Sequence, residues 1–203
     1  RDVLGSRGLG DVYKRQTVIL MGTSMLLGFL IAIVLGLYSG KNKNGVLDKI
    51  TSMFCYVGIS IPTFWFGIML IYLFSVHLHI LPSIGMHSDG NRSLGDLILH
   101  MVMPCAVLTF ANASQYIRYL RSSTITEMSS DYVMVQKAYG MKESGILFRH
   151  VLKNAMLPMI TVLGMSLQSL VSGAIITEQV FAWPGIGPVS YTHLRAHETL
   201  RHL

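Results

Sequence analysis

The sequence predicts an all-α, polytopic membrane protein with four transmembrane helices, and three observations carry that prediction. Four apolar runs are each long enough to cross a bilayer, and the spacers between them alternate between basic and nearly uncharged. About half of the residues (51%) are hydrophobic, 13% are charged and the mean hydropathy is +0.50, a balance that disfavours a soluble domain of this size.

The first run, residues 17–38 (TVILMGTSMLLGFLIAIVLGLY), contains no charged side chain. At about 1.5 Å per residue it covers a hydrocarbon core roughly 30 Å thick. It lacks a cleavage-like small-residue end and three more runs follow it, so it does not read as a signal peptide. The second run covers residues 50–76, where Pro62 removes one donor from the helical ladder and predicts a kink. The third, residues 97–116, and the fourth, residues 157–177, carry Pro104 and Pro158 near their starts.

The spacers set the orientation. Lys41, Lys43 and Lys49 follow the first run, and Arg118, Arg121, Lys137, Lys142, Arg149 and Lys153 follow the third, which places both spacers in the cytoplasm. The spacer at residues 77–96 holds Arg92 alone and turn-forming Pro82, Gly85, Gly90 and Asn91, and is expected outside. A basic excess distributed in this way describes topology and argues against nucleic-acid binding. Cys55 and Cys105 sit inside apolar runs at no metal-ligand spacing and are expected to pack.

The two ends read as foreign to the fold. With one choice of codons for residues 189–203, the reverse complement, read two bases in, encodes Asp2 to Arg15 without a mismatch. Head (1–16) and tail (189–203) therefore read as one oligonucleotide translated on opposite strands, resembling a sequencing-library adapter. The head is expected to be disordered, and His193, His197 and His202 are not ligands. The membrane-spanning domain is expected at 17–188, where ten Lys or Arg face seven Asp or Glu, so that the basic excess of +6 roughly halves.

Residues 117–156, between the third and fourth runs, mix charged and apolar residues at helical spacing. Gly140 separates two amphipathic stretches and permits a sharp change of direction. The pattern predicts helix, turn, helix along the cytoplasmic face, a protruding corner that a grooved partner could grip.

The stretch DYVMVQKAYGM followed by FRHVLKNAMLPMITVLG resembles the cytoplasmic coupling motif of ABC importer permeases of the dipeptide, oligopeptide and nickel uptake family. Asp131, Tyr132 and Val133 fit its opening, Ala138 and Gly140 its small-residue turn, and Arg149, His150, Leu152, Asn154, Ala155 and Pro158 the segment that follows. GISIPTFWFGIMLIYLFSV (58–76) is similar to a helix of the same family, and EQVFAWPGIG (178–187) to its external segment before the last helix. Glu178 and Trp183 are expected to anchor at the headgroup level. Met134, Val135, Gln136 and Tyr139 depart from the basic and small-residue run usual before the glycine.

The resemblance implies an incomplete type I ABC importer permease bundle whose first and last helices have no counterpart here. It also implies a bacterial inner-membrane location, a second permease subunit, two cytoplasmic ATPases and an extracytoplasmic substrate-binding protein. Docking of the ATPase falls to Asp131, Tyr132, Val133, Ala138, Gly140, Met141, Arg149 and Asn154, and bending to Pro62, Pro104 and Pro158. No G-x-x-x-x-G-K-S/T phosphate loop occurs, so no catalytic, metal or cofactor residue is expected on this chain, and ATP and magnesium belong to the partner. Dipeptides, longer peptides, nickel and glutathione remain open as substrates. A proton- or ion-coupled secondary transporter is the alternative, but it would place ionisable residues deep in the helices, where His100 and the cluster Asn112, Ser114 and Gln115 are the nearest candidates. A membrane hydrolase would need a nucleophile and base or a metal pair, and nothing near His77 and His79 completes one.

Overall fold

The computed structural model of the chain describes residues 3–88, 93–172 and 174–185, and the elements among them are helical. Gly90, Asn91, Arg92, Gly187 and the tail at 189–203 lie outside the described residues. The elements are α1 (Val3–Lys41), α2 (Val46–Ser60), α3 (Thr63–Leu70, continued by π-helical turns over Ile71–His77), α4 (Leu94–Met128), α5 (Asp131–Ala138), α6 (Glu143–Ile146), π-helical turns over Leu147–Val151, α7 (Leu152–Ser172) and α8 (Ile175–Val180). Lys14–Lys41, Leu94–Met128 and Glu143–Gln168 are each long and apolar enough to span a membrane, and α2 with α3 supplies a fourth span only when both are taken together. Three of the four predicted spans are thus present with altered boundaries, and the second corresponds to the α2–α3 pair, which bends by 100° at its break.

Each alteration has a local cause. The head to Gln16, expected to be disordered, is helical from Val3: residues 3–16 hold no proline, and the ladder of the apolar run extends through them. The kink expected at Pro62 is a break. Proline disfavours helical angles in the residue before it, so Ile61 is extended (φ −81°, ψ 123°), and Pro62 (φ −60°, ψ 132°) caps the start of α3. By contrast Pro104 and Pro158 lie within α4 and α7. The third span overruns its apolar run because Arg118, Arg121 and Glu127 end the hydropathy signal without ending the helix. The second amphipathic stretch of the cytoplasmic segment does not stay separate, since α6 and the π-helical turns run straight on into α7.

The chain divides into two compact units. The first comprises Arg1–Ser24, Pro62–Leu108 and Leu167–Leu203. Its described core gathers Leu20, Met21, Cys105, Leu108 and Trp183 in one cluster, and Met103, Val107 and Phe181 packed by Phe66, Leu70 and Phe74 in another. Here the headgroup expectation for Glu178 and Trp183 fails, because both are buried, at 0% and 1% exposure. The Glu178 carboxylate accepts a hydrogen bond from Thr17 Oγ1 (2.8 Å), and its backbone carbonyl accepts one from the Trp183 amide (2.8 Å), so side chain and backbone each have a polar partner inside the unit. The loop around Gly85 is pinned likewise: Gly85 N–H donates to Phe181 O (2.8 Å), and Ser88 donates both N–H and Oγ–H to the Asp96 carboxylate (2.8 Å each).

The second unit comprises Met25–Ile61 and Thr109–Ser166. Inside a bilayer the water-driven term that joins helices in solution is absent, and close backbone approach through small residues takes its place. Gly28, Gly36 and Gly40 of α1 lie against Ala113, Leu120 and Thr124 of α4, and a Cβ built on Gly40 would come within 2.5 Å of Thr124 Cβ. Gly58 of α2 meets Ser114 of α4 more closely still. One cluster of Ala32, Cys55, Ala113, Tyr116, Ile117 and Met159 forms beside these contacts. Another, of Leu37, Leu120, Val133, Ile146, Leu147, Val151 and Ala155, carries α5 and α6.

Candidate functional site

The corner around Gly140 is built by its backbone. After α4, Ser130 is extended (φ −79°, ψ 154°) and its carbonyl accepts from the Val133 and Met134 amides (3.1 and 3.4 Å), which opens α5. Asp131 lies in the first turn of α5 and Lys137 in the last, as the helix dipole favours. The far end is closed by a Schellman motif: the Met141 amide donates to Gln136 O (3.1 Å) and the Gly140 amide to Lys137 O (3.0 Å). That closure needs a left-handed residue, and Gly140 supplies it with φ +77°.

The corner is apolar on the outside and fixed from within. Val133, at 1% exposure, enters the cluster with Leu37, Leu120 and Val151, so of the three opening residues it holds α5 down and is not presented outward. Tyr139 (84%), Met134 (69%) and Val135 (52%) are exposed, with Ala138, Gly140 and Met141 beside them. Three of the four residues that depart from the motif, Met134, Val135 and Tyr139, thus supply the apolar surface.

Two polar braces set the angle of the corner. Glu127, in the last turn of α4, accepts from Tyr132 Oη (2.8 Å) and Asn154 Nδ2 (3.2 Å), joining α5 and α7 through one carboxylate oxygen. Partial burial, then the neighbouring Glu127 carboxylate, pushes the Tyr132 phenol above its ordinary value. On the other side Glu143 pairs with Lys41 (3.0 Å) and, more loosely, with Lys137 (3.7 Å). Of the predicted residues, the structure brings Tyr132 and Asn154 together and leaves Arg149, exposed in the π-helical turns, outside both braces among the described residues. Glu127 and Glu143 were missed by sequence reasoning; their signal was that they are two of the three carboxylates, with Asp131, in the mainly basic segment 117–156.

A further pair escaped the sequence. Asp48, 2% exposed in the first turn of α2, accepts from Arg121 through Nε and Nη2 (the latter 2.8 Å), from Ser39 Oγ and from the Asn44 amide (2.8 Å). Asn44 aims that amide by adopting φ +66°, which asparagine tolerates. The two-pronged Arg121–Asp48 contact ties α4 to the turn between α1 and α2. Among the described residues no group of three or more His, Cys, Asp or Glu side chains could hold a metal ion.

The family described as "Binding-protein-dependent transport system inner membrane component" matches residues 32–196. The oligopeptide transport system permease protein AppB of Bacillus subtilis is 36% identical over 173 residues, 85% of this chain and 55% of that protein. The probable D,D-dipeptide transport system permease protein DdpB of Escherichia coli is 34% identical over 91% of this chain and 60% of its own length. The chain spans about half the length (55%) of the first of these relatives. An inward-facing structure of the MetNI methionine ABC transporter matches 93% of this chain and 82% of its own with a TM-score of 0.71 at 18% identity, a likeness of fold.

Proposed function

Since the chain belongs to the binding-protein-dependent transport system inner membrane component family, we propose that it forms part of the permease subunit of an ATP-driven importer for peptides and docks a separate ATPase through the corner at Gly140. The protein to which it belongs lies in a bacterial inner membrane. It works with a second permease subunit, two cytoplasmic ATPases and an extracytoplasmic binding protein. ATP and magnesium act on the ATPase, and this chain carries no phosphate loop of its own.

The observation that carries the reading is the exposed apolar surface of Met134, Val135 and Tyr139 on a corner braced by Glu127 and Glu143. A partner's groove would bury those side chains. Val133 and the Schellman closure would keep α5 from sliding under load, so that movement of the partner passes through α5 to α4 and α7. Peptide substrates are supported by the relatives, whose printed names are of oligopeptide and dipeptide permeases.

The test is capture of a peptide-type ATPase subunit by the full-length permease, comparing wild type with Gly140→Pro and Ala138→Glu. Loss of capture in both variants is expected. Equal capture by all three would remove the docking assignment and return the ion-coupled alternative.

A further inference from the structure

Between α2 and α4 of the second unit lies a surface pocket lined by Ser52, Cys55, Tyr56, Arg118 and Arg121. The chemistry it presents is that of an anion site. Arg121 spends Nε and Nη2 on Asp48, which leaves Nη1 outside that pair. Arg118 is exposed, and its guanidinium lies 5.7 Å from the centre of the Tyr119 ring, a contact that leaves its N–H donors at the edge of the plane. Two hydroxyl groups, Ser52 and Tyr56, complete the lining.

Depth and surroundings identify the class of anion. From Leu97, about 20 residues of helix cross the hydrocarbon core, which brings the inner boundary to the turn that holds Ile117 and Arg118. The helix that supplies three of the lining residues, α2, also carries exposed apolar side chains close by in sequence, Met53 at 69% and Ile59 at 49% exposure, with Tyr56 itself 70% exposed. A free anion has no use for such side chains. An amphiphile uses both parts, with phosphoryl oxygens on the guanidinium groups and acyl chains along α2.

We infer that this pocket binds the phosphoryl headgroup of an acidic phospholipid of the cytoplasmic leaflet. The inference rests on the bilayer orientation and not on the ATPase corner, and the two fail separately. One consequence is positional: a lipid held by Arg118 neutralises a positive charge on α4 beside the Asp48–Arg121 pair.

The experiment is native mass spectrometry of the full-length permease in detergent with phosphatidylglycerol, with zwitterionic phosphatidylethanolamine, and with phosphatidylglycerol plus inorganic phosphate. Wild type is expected to retain phosphatidylglycerol over phosphatidylethanolamine by about fivefold, the contribution of one arginine near an anionic surface. Arg118→Gln, which leaves the Asp48–Arg121 pair intact, should bring that ratio to about one, and Arg118→Lys should restore part of it. Equal retention of the two lipids by wild type, or a preference that Arg118→Gln leaves unchanged, would overturn the site. Displacement of the lipid by inorganic phosphate alone would overturn the lipid as its source.

Discussion

Arg121 grips Asp48 with two adjacent nitrogens, Nε on one carboxylate oxygen and Nη2 on the other at 2.8 Å, across 73 positions of sequence. With Asp48 only 2% exposed, removing its charge leaves a guanidinium facing amide and hydroxyl groups that cannot balance it. Asp48→Asn should destabilise the full-length permease by about 3 kcal/mol. Arg121→Lys should cost less, because one prong survives. Thermal unfolding in detergent measures both, and an unchanged midpoint for Asp48→Asn would show the pair to be dispensable.

Gly58 and Ser114 are so close that a Cβ at position 58 would lie 1.9 Å from Ser114 Oγ and 2.8 Å from its Cβ. Rotating the hydroxyl relieves the first clash and not the second. Gly58→Ala should therefore cost about 1–3 kcal/mol, and Ser114→Gly in the same chain should recover most of it. A double-mutant cycle on unfolding midpoints reads the coupling; additive losses would place the strain elsewhere.

The buried Glu178 carboxylate occupies the space where a side chain at position 185 would go, since a Cβ there would come within 2.2 Å of Glu178 Cδ. Gly185→Ala should expel one group or the other and destabilise by about 1–3 kcal/mol. Fluorescence of the buried Trp183, whose amide donates to Glu178 O, reports the disturbance directly. An emission maximum and unfolding midpoint equal to wild type would contradict the packing.

At the corner the phenol of Tyr132 is the group with a resolved shift outside the spans, and the shift is upward. A raised phenol favours the neutral form in the folded state. The stability it lends is fully present below the ordinary phenol value of about 10 and is lost as pH rises through the folded value. Local protection of α5 in hydrogen exchange should fall above that pH in wild type and stay flat in Tyr132→Phe. A fall of equal size in both would assign the transition to another group.

Hydropathy made the spans legible, because a run such as residues 17–38 has no alternative but to be buried or to face lipid. It failed where charge and helix part company: α4 continues through Arg118, Arg121 and Glu127 into water, and α6 merges into α7. Gly140 was readable as a turn because only its backbone freedom fits a Schellman closure. Val133 was not readable as core, since its direction depends on where Leu37 and Val151 stand. Pairs such as Asp48 with Arg121 or Tyr132 with Glu127 are set by how helices meet, and nothing local announces them.

At the corner, shape and chemistry are written in different residues. Gly140, Val133, Glu127 and Glu143 hold the backbone, while Met134, Val135 and Tyr139 face outward and bear little of that task. Outward positions can therefore be exchanged without unfolding the turn. If the corner docks an ATPase as proposed, a lineage in which both partners drift can retune who recognises whom by changing a few surface side chains, and keep two similar importers in one cell from borrowing each other's motor.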